Sequence, residues 1–339
     1  MTRSWRISMA ATMAALLVAA MVAAPSGAAT GAAGVSAGCT PKTNIEAIVD
    51  DSGSMAITDE NRLRVQAMGL LINTLPAKTL LGAVEFGSAG FETPAASTVF
   101  PPEPVGPNGV AMKTALEAVI NADSGATDYN SAFAKADADD PGAQARIFLT
   151  DGGHNEGTYN EAHLAHNVPT YVIGFGTGLT LEEDQARLQK IATDTGGQVF
   201  QLEDNTQLQP VMNKIGAALT CQTPPREFKD LLKQGQSKTH VIAVGAKTKV
   251  LQIALSWASP SDIFKLGHLK LIVKNKVVAA GRPKIAKLKV KKTSSATFAV
   301  AKVSGLRKGT LRFSVKATQI GSGEPKVQLT TQVGPGSGK

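Results

Sequence analysis

The pattern of apolar and polar positions divides the chain into two parts. In residues 44–219, short apolar runs alternate with longer segments in which apolar residues recur every three or four positions. The short runs predict strands at 45–49, 80–86, 146–150, 170–175 and 198–202, and the longer segments predict helices at 63–75, 112–121, 131–138, 181–193 and 206–219. This alternation indicates an α/β fold with a doubly wound, mainly parallel, Rossmann-like sheet. A stretch rich in Gly, Pro and Ser over 87–108 predicts a long loop.

After residue 221 the pattern changes to strands alone. The apolar runs are separated by Gly, Pro, Ser or Lys, and they show no helical period. These runs lie at 239–244, 249–257, 269–273, 297–303, 310–317 and 326–333. They predict a second, smaller all-β sandwich domain over 226–333, with a linker at 223–225 and a flexible tail over 334–339.

Charge follows the same division of the chain. Residues 221–339 contain 23 Lys and Arg against 4 Asp and Glu, whereas residues 1–220 contain 12 basic and 23 acidic residues. The formal net charge of +8 therefore joins an acidic part to a basic part. A basic total of this kind does not indicate that the whole chain binds nucleic acid.

The basic part carries a cluster of lysines at alternating or adjacent positions. They are Lys284, Lys287, Lys289, Lys291 and Lys292. One interpretation is an edge strand that lysine keeps soluble and unpaired. The other is a surface for anionic polymers, such as cell-wall polyanions or acidic glycans, with salt-dependent binding. Because aromatic residues for base stacking are scarce, no nucleic-acid partner is expected.

The N-terminal residues have the composition of an export signal. Arg3 and Arg6 precede an apolar run at 9–24, and small residues follow Pro25. This pattern predicts a secretory signal peptide over 1–29, with an uncleaved anchor as the alternative. No other apolar stretch reaches the length of a membrane span. We therefore expect a secreted, extracellular product without a transmembrane anchor after cleavage, and association with the cell surface is a further option.

The sequence contains two cysteines, Cys39 and Cys221, at the edges of the acidic part. An even number of cysteines in an oxidising compartment favours a disulfide between them. A rival interpretation places Cys39 in a lipoprotein acylation box, but this cysteine lies far from the apolar run.

Oxygen-bearing side chains follow two of the predicted strands. Asp50, Ser52 and Ser54 form a D-x-S-x-S sequence after the first strand, Thr127 precedes a predicted helix, and Asp151 ends the third strand. Ligand sites in doubly wound sheets lie outside the carboxyl ends of the strands. Carboxylate and hydroxyl oxygens suit Mg²⁺, Mn²⁺ or Ca²⁺ better than soft metals. The alternative is that these side chains only cap the following helix.

These elements, in this order, resemble a von Willebrand factor type A domain with a metal-ion-dependent adhesion site. The resemblance covers residues 44–219, within a predicted domain over 39–221. It implies that the serine and threonine hydroxyls bind the metal directly, while one or both carboxylates act through water. It also implies that an acidic group of a protein or glycan partner completes the coordination of the ion. Residues 250–264 weakly resemble bacterial pre-peptidase C-terminal-type β-sandwich modules.

Three enzymatic or metal-binding alternatives are weaker. Asp51 and Asp194 each begin a D-[ST]-G triplet, as in aspartic proteases, but both triplets lie among helices. No G-x-S-x-G elbow occurs, so a serine hydrolase is disfavoured, and His154 is expected in a loop beside the metal site. His163 and His166 have a spacing that permits metal binding, but they are expected to be exposed helix residues.

We therefore predict a non-enzymatic adhesion protein that binds Mg²⁺, or instead Mn²⁺ or Ca²⁺, and through it a carboxylate of its partner. The alternative is a non-catalytic accessory subunit of a secreted hydrolase or of a metal-insertion assembly.

Overall fold

The computed structural model describes residues 39–87, 95–179, 181–203, 205–273, 276–279 and 289–335. The predicted signal peptide, Lys284, Lys287 and residues 336–339 lie outside these ranges. Within the described ranges, no helix is both long enough and apolar enough to cross a membrane.

The first part alternates strands and helices, as the sequence predicts. Its elements, in chain order, are β1 (Asn44–Asp50), α1 (Met55–Thr58), α2 (Leu63–Thr74), β2 (Leu80–Phe86), β3 (Ala96–Pro104), α3 (Val105–Val119), α4 (Tyr129–Asp139), β4 (Ala145–Gly152), β5 (Thr170–Gly178), α5 (Glu182–Thr195), β6 (Gln198–Leu202) and α6 (Leu208–Leu219). The six strands lie in the order β3-β2-β1-β4-β5-β6. All neighbouring pairs are parallel except β2 and β3, which are antiparallel. The predicted α/β fold with a mainly parallel sheet is confirmed.

The central strand β1 is buried on both faces, which explains its continuous apolar run. Ile45, Ala47 and Val49 belong to a core cluster with side chains of α2, α3 and α6. Ile48 belongs to a second cluster with side chains of α4 and α5. The helices therefore cover both faces of the sheet, and its strand ends are free to carry a site.

The predicted loop over 87–108 is wrong for residues 96–108. Residues 96–104 form β3, and α3 begins at Val105. Pro101, Pro102 and Pro104 in this segment favour a loop, but β3 lies at the edge of the sheet. Proline is tolerated at an edge because one side of the strand has no hydrogen-bonding partner there.

The second part is built from antiparallel strands. They are β7 (Arg226–Leu232), β8 (Ser237–Val244), β9 (Val250–Ser256), β10 (Ile263–Val273), β11 (Lys276–Ala279), β12 (Lys289–Ser294), β13 (Phe298–Ser304), β14 (Gly309–Gln319) and β15 (Val327–Pro335). The described strands form one sheet in the order β11-β10-β14-β8 and another in the order β12-β13-β9-β15-β7. Both sheets contribute side chains to one apolar core, so the predicted β-sandwich is confirmed.

One detail of the second part differs from the prediction, and another agrees with one of the two interpretations of the lysines. Gly334 and Pro335, predicted to begin the flexible tail, are the last residues of β15. Lys289, Lys291 and Lys292 lie in β12, the edge strand of its sheet. An edge position agrees with lysine as a residue that discourages further strand pairing.

The predicted disulfide between Cys39 and Cys221 is present in the structure, with the two Cα atoms 5.7 Å apart. Nearby, the Lys42 amide donates a 2.7 Å hydrogen bond to the Leu219 carbonyl. The beginning and the end of the α/β part therefore meet at this bond.

Candidate metal site

The candidate site lies where the order of the strands reverses. From β1 the chain continues to β2 on one side, and β4 pairs with β1 on the other side. Asp50 is the last residue of β1, and Asp151 is the penultimate residue of β4. Because the two strands are parallel, their carboxyl ends meet at the same edge of the sheet, which is the usual position of a ligand site in this architecture.

Four of the predicted site residues form a chain of oxygen contacts. The Ser54 hydroxyl donates to Asp151 Oδ1 at 2.7 Å, and the Ser52 and Ser54 Oγ atoms are 3.4 Å apart. The Thr127 hydroxyl donates to Ser52 Oγ at 3.3 Å. Thr127 reaches this position because the next residue, Asp128, caps the N-terminus of α4 through the amides of residues 130 and 131. The structure thus brings together residues that are up to 99 positions apart in the sequence.

Asp50 is the fifth predicted ligand, and it is fully buried. Its Oδ1 accepts a 2.8 Å hydrogen bond from the Ser52 amide, and its Oδ2 accepts a 2.6 Å bond from the Thr150 hydroxyl. Burial raises the pKa of Asp50, and the neighbouring Asp151 carboxylate raises it further. The first contact fixes the turn that presents the two serines, and the second ties the ends of β1 and β4 together.

Asp151 is held on both carboxylate oxygens. Ser54 donates to Oδ1, and the Thr58 hydroxyl donates to Oδ2. Burial raises the pKa of Asp151 as well. Ser54 occupies the N-cap position of α1 without a side-chain capping bond, so its hydroxyl is not the cap that the alternative interpretation requires.

The buried side chain of Arg64 holds the loop between β1 and α1 in place, and the residue pattern alone did not predict this role. Arg64 donates to Asp51 at 2.6 Å and to Asp59 at 3.1 Å, and it also pairs with Asp123. The other Asp51 oxygen accepts bonds from the amides of Asn121 and Ala122. This arrangement fixes the residue between Asp50 and Ser52. A single arginine among the apolar residues of α2 is the sequence signal that points to it.

The donor set fits a hard divalent cation. It consists of hydroxyl and carboxylate oxygens, which Mg²⁺ and Mn²⁺ prefer, and it contains no sulfur or imidazole. Among the described residues, no group of three or more His, Cys, Asp or Glu side chains is placed to hold a metal. A cation at this position therefore depends on the hydroxyls of Ser52, Ser54 and Thr127.

No protein-family model matches the chain, and no curated protein matches it. The chain is similar to a von Willebrand factor type A structure. That protein is from Catenulispora acidiphila, with 17% identity over 85% of this chain and 62% of that chain and a TM-score of 0.41. Proximal thread matrix protein 1 from the mussel byssus, with a zinc-occupied MIDAS motif, shows 19% identity over 57% of this chain and 50% of its own, with a TM-score of 0.43.

The pilus adhesin SpaC from Lactobacillus rhamnosus GG shows 11% identity over 86% of this chain and 44% of its own, with a TM-score of 0.41. In each of these three comparisons the chain covers less than two thirds of the other protein.

The remaining polar residues singled out in the sequence lie in separate environments. His154 lies in a loop, as predicted, and its Nδ1 accepts a 3.1 Å bond from the Tyr129 amide. His163 was expected to be exposed, but it is buried between Tyr159 and Asp194. His166 is 41% exposed and pairs with Asp137 at 2.9 Å.

Asp51 and Asp194 lie in different sets of ion pairs. Asp51 is bound to Arg64, whereas Asp194 contacts His163 and Lys190 at the end of α5. The two carboxylates therefore have different partners, and the shared proton that an aspartic protease requires has no basis here.

Proposed function

We propose that this chain is a secreted binding protein of the von Willebrand factor type A kind. It holds a divalent cation at Ser52, Ser54 and Thr127, with Asp50 and Asp151 beside it, and it binds partners through an acidic group. The observation that carries the proposal is the continuous set of oxygen contacts from Thr127 to Asp151 at the reversal of strand order.

The charge balance of the site favours an acidic partner. The three proposed direct ligands are neutral hydroxyls, and the two carboxylates lie beside them, so no anionic group of the chain is proposed to bind the cation directly. A bound cation supplies a positive charge that attracts a carboxylate of a protein or glycan. Asp50, Thr150 and Thr58 keep the site in place through their hydrogen bonds.

We propose binding without catalysis. The carboxylates that suggest protease chemistry, Asp51 and Asp194, are each engaged in ion pairs. The proposed secretion is supported by the N-terminal sequence pattern and by the Cys39–Cys221 disulfide.

Calorimetric titration of the chain with Mn²⁺ and Mg²⁺ tests the cation site. The double variant Ser52→Ala/Ser54→Ala should weaken the affinity by about tenfold or more, because it removes two oxygen ligands. The matched control is Ser259→Ala/Ser261→Ala, an exposed pair with the same spacing and mutual contact (2.8 Å) in the second part. Equal affinity in the two double variants would refute the assignment.

Binding to immobilised polyglutamate, measured with and without chelator, tests the acidic partner. We expect a component that chelator abolishes and that the Ser52/Ser54 variant lacks. A component that survives chelation and falls with added salt is instead expected from the lysines of the second part, which we propose as a surface for anionic polymers. If all binding survives chelation, the cation-mediated recognition is wrong.

A further inference from the structure

A cavity of about 510 Å³ lies in the β-sandwich, away from the candidate metal site. It is bounded by residues 292–296, by residues 299–301 of β13, by residues 263–266 of β10 and by the connection between β9 and β10. Its volume is within the range of small-molecule sites in proteins. Nothing in the proposed cation-dependent function uses it.

One wall of the cavity is aromatic. The rings of Trp257 and Phe264 have centroids 5.3 Å apart and planes inclined by 49°, and both side chains are largely buried. Ala296, Ala299 and Ala301, whose side chains are single methyl groups, also line the cavity.

Two polar atoms of the lining residues lack partners. Within the part of the chain that the structure describes, Trp257 Nε1 and Asp262 Oδ2 are buried and make no hydrogen bond. Asp262 itself is only 1% exposed, and its Oδ1 accepts bonds from the Gly321 and Ser322 amides at 2.9 and 3.1 Å. These two bonds fix the orientation of the Asp262 carboxylate, and its Oδ2 atom accepts no hydrogen bond from the described residues. Buried donors and acceptors are normally paired, so Trp257 Nε1 and Asp262 Oδ2 are candidates for contacts with a bound ligand.

We infer that this cavity binds a pyranose sugar residue of a glycan. A sugar presents an apolar C–H face to an aromatic ring, and each hydroxyl both donates and accepts hydrogen bonds. Sugar hydroxyls therefore have the chemistry to accept from an indole N–H, as in Trp257, and to donate to a carboxylate oxygen, as in Asp262.

Two other ligand classes satisfy the cavity less well. A fatty acyl chain matches the rings and alanines, but it leaves both Trp257 Nε1 and Asp262 Oδ2 unpaired. A quaternary ammonium group suits an aromatic wall with a carboxylate, but Lys265 and Lys292 also line the cavity and repel a cation. Lys292 Nζ already lies at the cavity, where it donates to the Leu266 carbonyl at 3.1 Å.

Tryptophan fluorescence provides a local test. Trp5 and Trp257 are the two tryptophans of the sequence, so a full-length chain with Trp5→Phe reports from Trp257 alone. Methyl glucoside, methyl galactoside and N-acetylglucosamine should be titrated, with dodecanoate and choline as comparators. We expect saturable emission changes with at least one sugar, and these should persist in chelator and in the Ser52→Ala/Ser54→Ala background. This persistence separates the cavity from the proposed cation site.

Three variants make the test specific. Asp262→Asn keeps an oxygen for the two amides but removes the free acceptor, and it should weaken sugar binding about tenfold or more. The matched control is Asp230→Asn, a buried aspartate of the same sandwich that pairs with His240 at 2.7 Å outside the cavity lining. Ala299→Met fills the cavity without removing a polar group, and it should abolish binding while the unfolding midpoint shows that the sandwich is folded.

The inference is overturned if none of the three sugars changes the emission, or if only dodecanoate or choline does so. It is also overturned if acrylamide cannot quench Trp257, because the protein's own chain would then cover the cavity. Equal sugar affinity in Asp262→Asn and Asp230→Asn would have the same consequence.

Discussion

Hydroxyl groups, rather than carboxylates, are the side chains that make the candidate site specific. Ser52, Ser54 and Thr127 contact one another or Asp151, whereas both Asp50 oxygens accept hydrogen bonds from Ser52 and Thr150. An isolated serine or threonine carries little information in a sequence. The three hydroxyl residues can be identified as site residues only from the D-x-S-x-S spacing and from the positions of Thr127 and Asp151 relative to the predicted strands and helices.

A carboxyl group outside the candidate site is also buried in the sheet. Glu46, in β1, is fully buried, and neither of its oxygens has a hydrogen-bond partner among the described residues. Burial, together with the nearby Asp140 and Asp139 carboxylates, raises the pKa of Glu46 to about 9, and Arg146 and Lys135 oppose this increase. Gly82 on β2 leaves the space that Glu46 fills, since a Cβ at Gly82 would lie 2.0 Å from Glu46 Oε2.

This burial predicts a pH dependence of stability. Between the ordinary pKa of 4.5 and about 9, the unfolded chain ionises at Glu46 while the native chain keeps the proton. The free energy of unfolding should therefore decrease as pH rises, by up to about 1.4 kcal/mol per pH unit from this group. Glu46→Gln, which stays neutral, should remove this decrease, and urea unfolding at pH 5.5 and pH 8 measures the difference.

The control for this prediction is Glu60→Gln, an exposed glutamate in the loop before α2. It should keep the pH dependence of the unsubstituted chain. If Glu46→Gln has the same pH dependence as Glu60→Gln, Glu46 does not stay protonated in the native chain.

At the scale of elements, the short helix α1 connects the serine loop to β4. The hydroxyl of Thr58, the last residue of α1, donates to Asp151 Oδ2, and its oxygen lies 3.1 Å from the Ser54 carbonyl oxygen. One helical turn thus places a second hydroxyl against the carboxylate that Ser54 already contacts. The four-residue spacing between Ser54 and Thr58 is visible in the sequence, but the contact depends on how α1 packs beside β4.

Replacing this hydroxyl should weaken the proposed cation site without destroying the fold. Thr58→Val preserves shape but leaves Asp151 Oδ2 without its donor, so Mn²⁺ affinity should fall about tenfold. Thr114→Val is the matched control, because the hydroxyl oxygen of Thr114 in α3 also lies close to the carbonyl oxygen four residues earlier (3.3 Å to Val110) but outside the site. Calorimetric titration of both variants compares them, and equal affinities would exclude a positioning role for Thr58.

Elements with a clear hydrophobic period could be predicted from the sequence, and those set by their place in the sheet could not. The run at 80–86 coincides with β2, whereas β3 is interrupted by prolines that only an edge position tolerates. The role of Arg64 at the site could not be predicted from the sequence either. Its charge is plain in the sequence, but its three carboxylate partners come from positions that only the fold brings together.

At the scale of the whole molecule, the two parts of the chain share a packed interface. Leu70 of α2 lies in one apolar cluster with Ala254, Phe298 and Val300 of the sandwich. Asn213 of α6 donates to Gln332 Oε1 of β15 at 2.8 Å. The acidic part and the basic part are therefore in direct contact. The sandwich packs against α2, the helix whose Arg64 holds the serine loop in place.

The disulfide is a second long-range link in the molecule, and it joins the two ends of the α/β part. It closes a sequence separation of 182 residues, which corresponds to about 5 kcal/mol in the chain-entropy model of disulfide stabilisation. Cys39→Ala/Cys221→Ala should therefore lower the free energy of unfolding by several kcal/mol. Because the bond joins the residues before β1 to those after α6, we expect the loss to appear in the unfolding of the α/β part.

Urea unfolding of three samples distinguishes the bond from the side chains. The unsubstituted chain in dithiothreitol should match the double alanine variant, and the variant itself should not respond to dithiothreitol. Mass spectrometry of alkylated protein counts free thiols in the untreated chain, and the expected number is zero. If both cysteines are alkylated without reduction, the bond is absent. If the double variant is as stable as the unsubstituted chain, the contacts at Lys42 and Leu219 close this end of the fold without the disulfide.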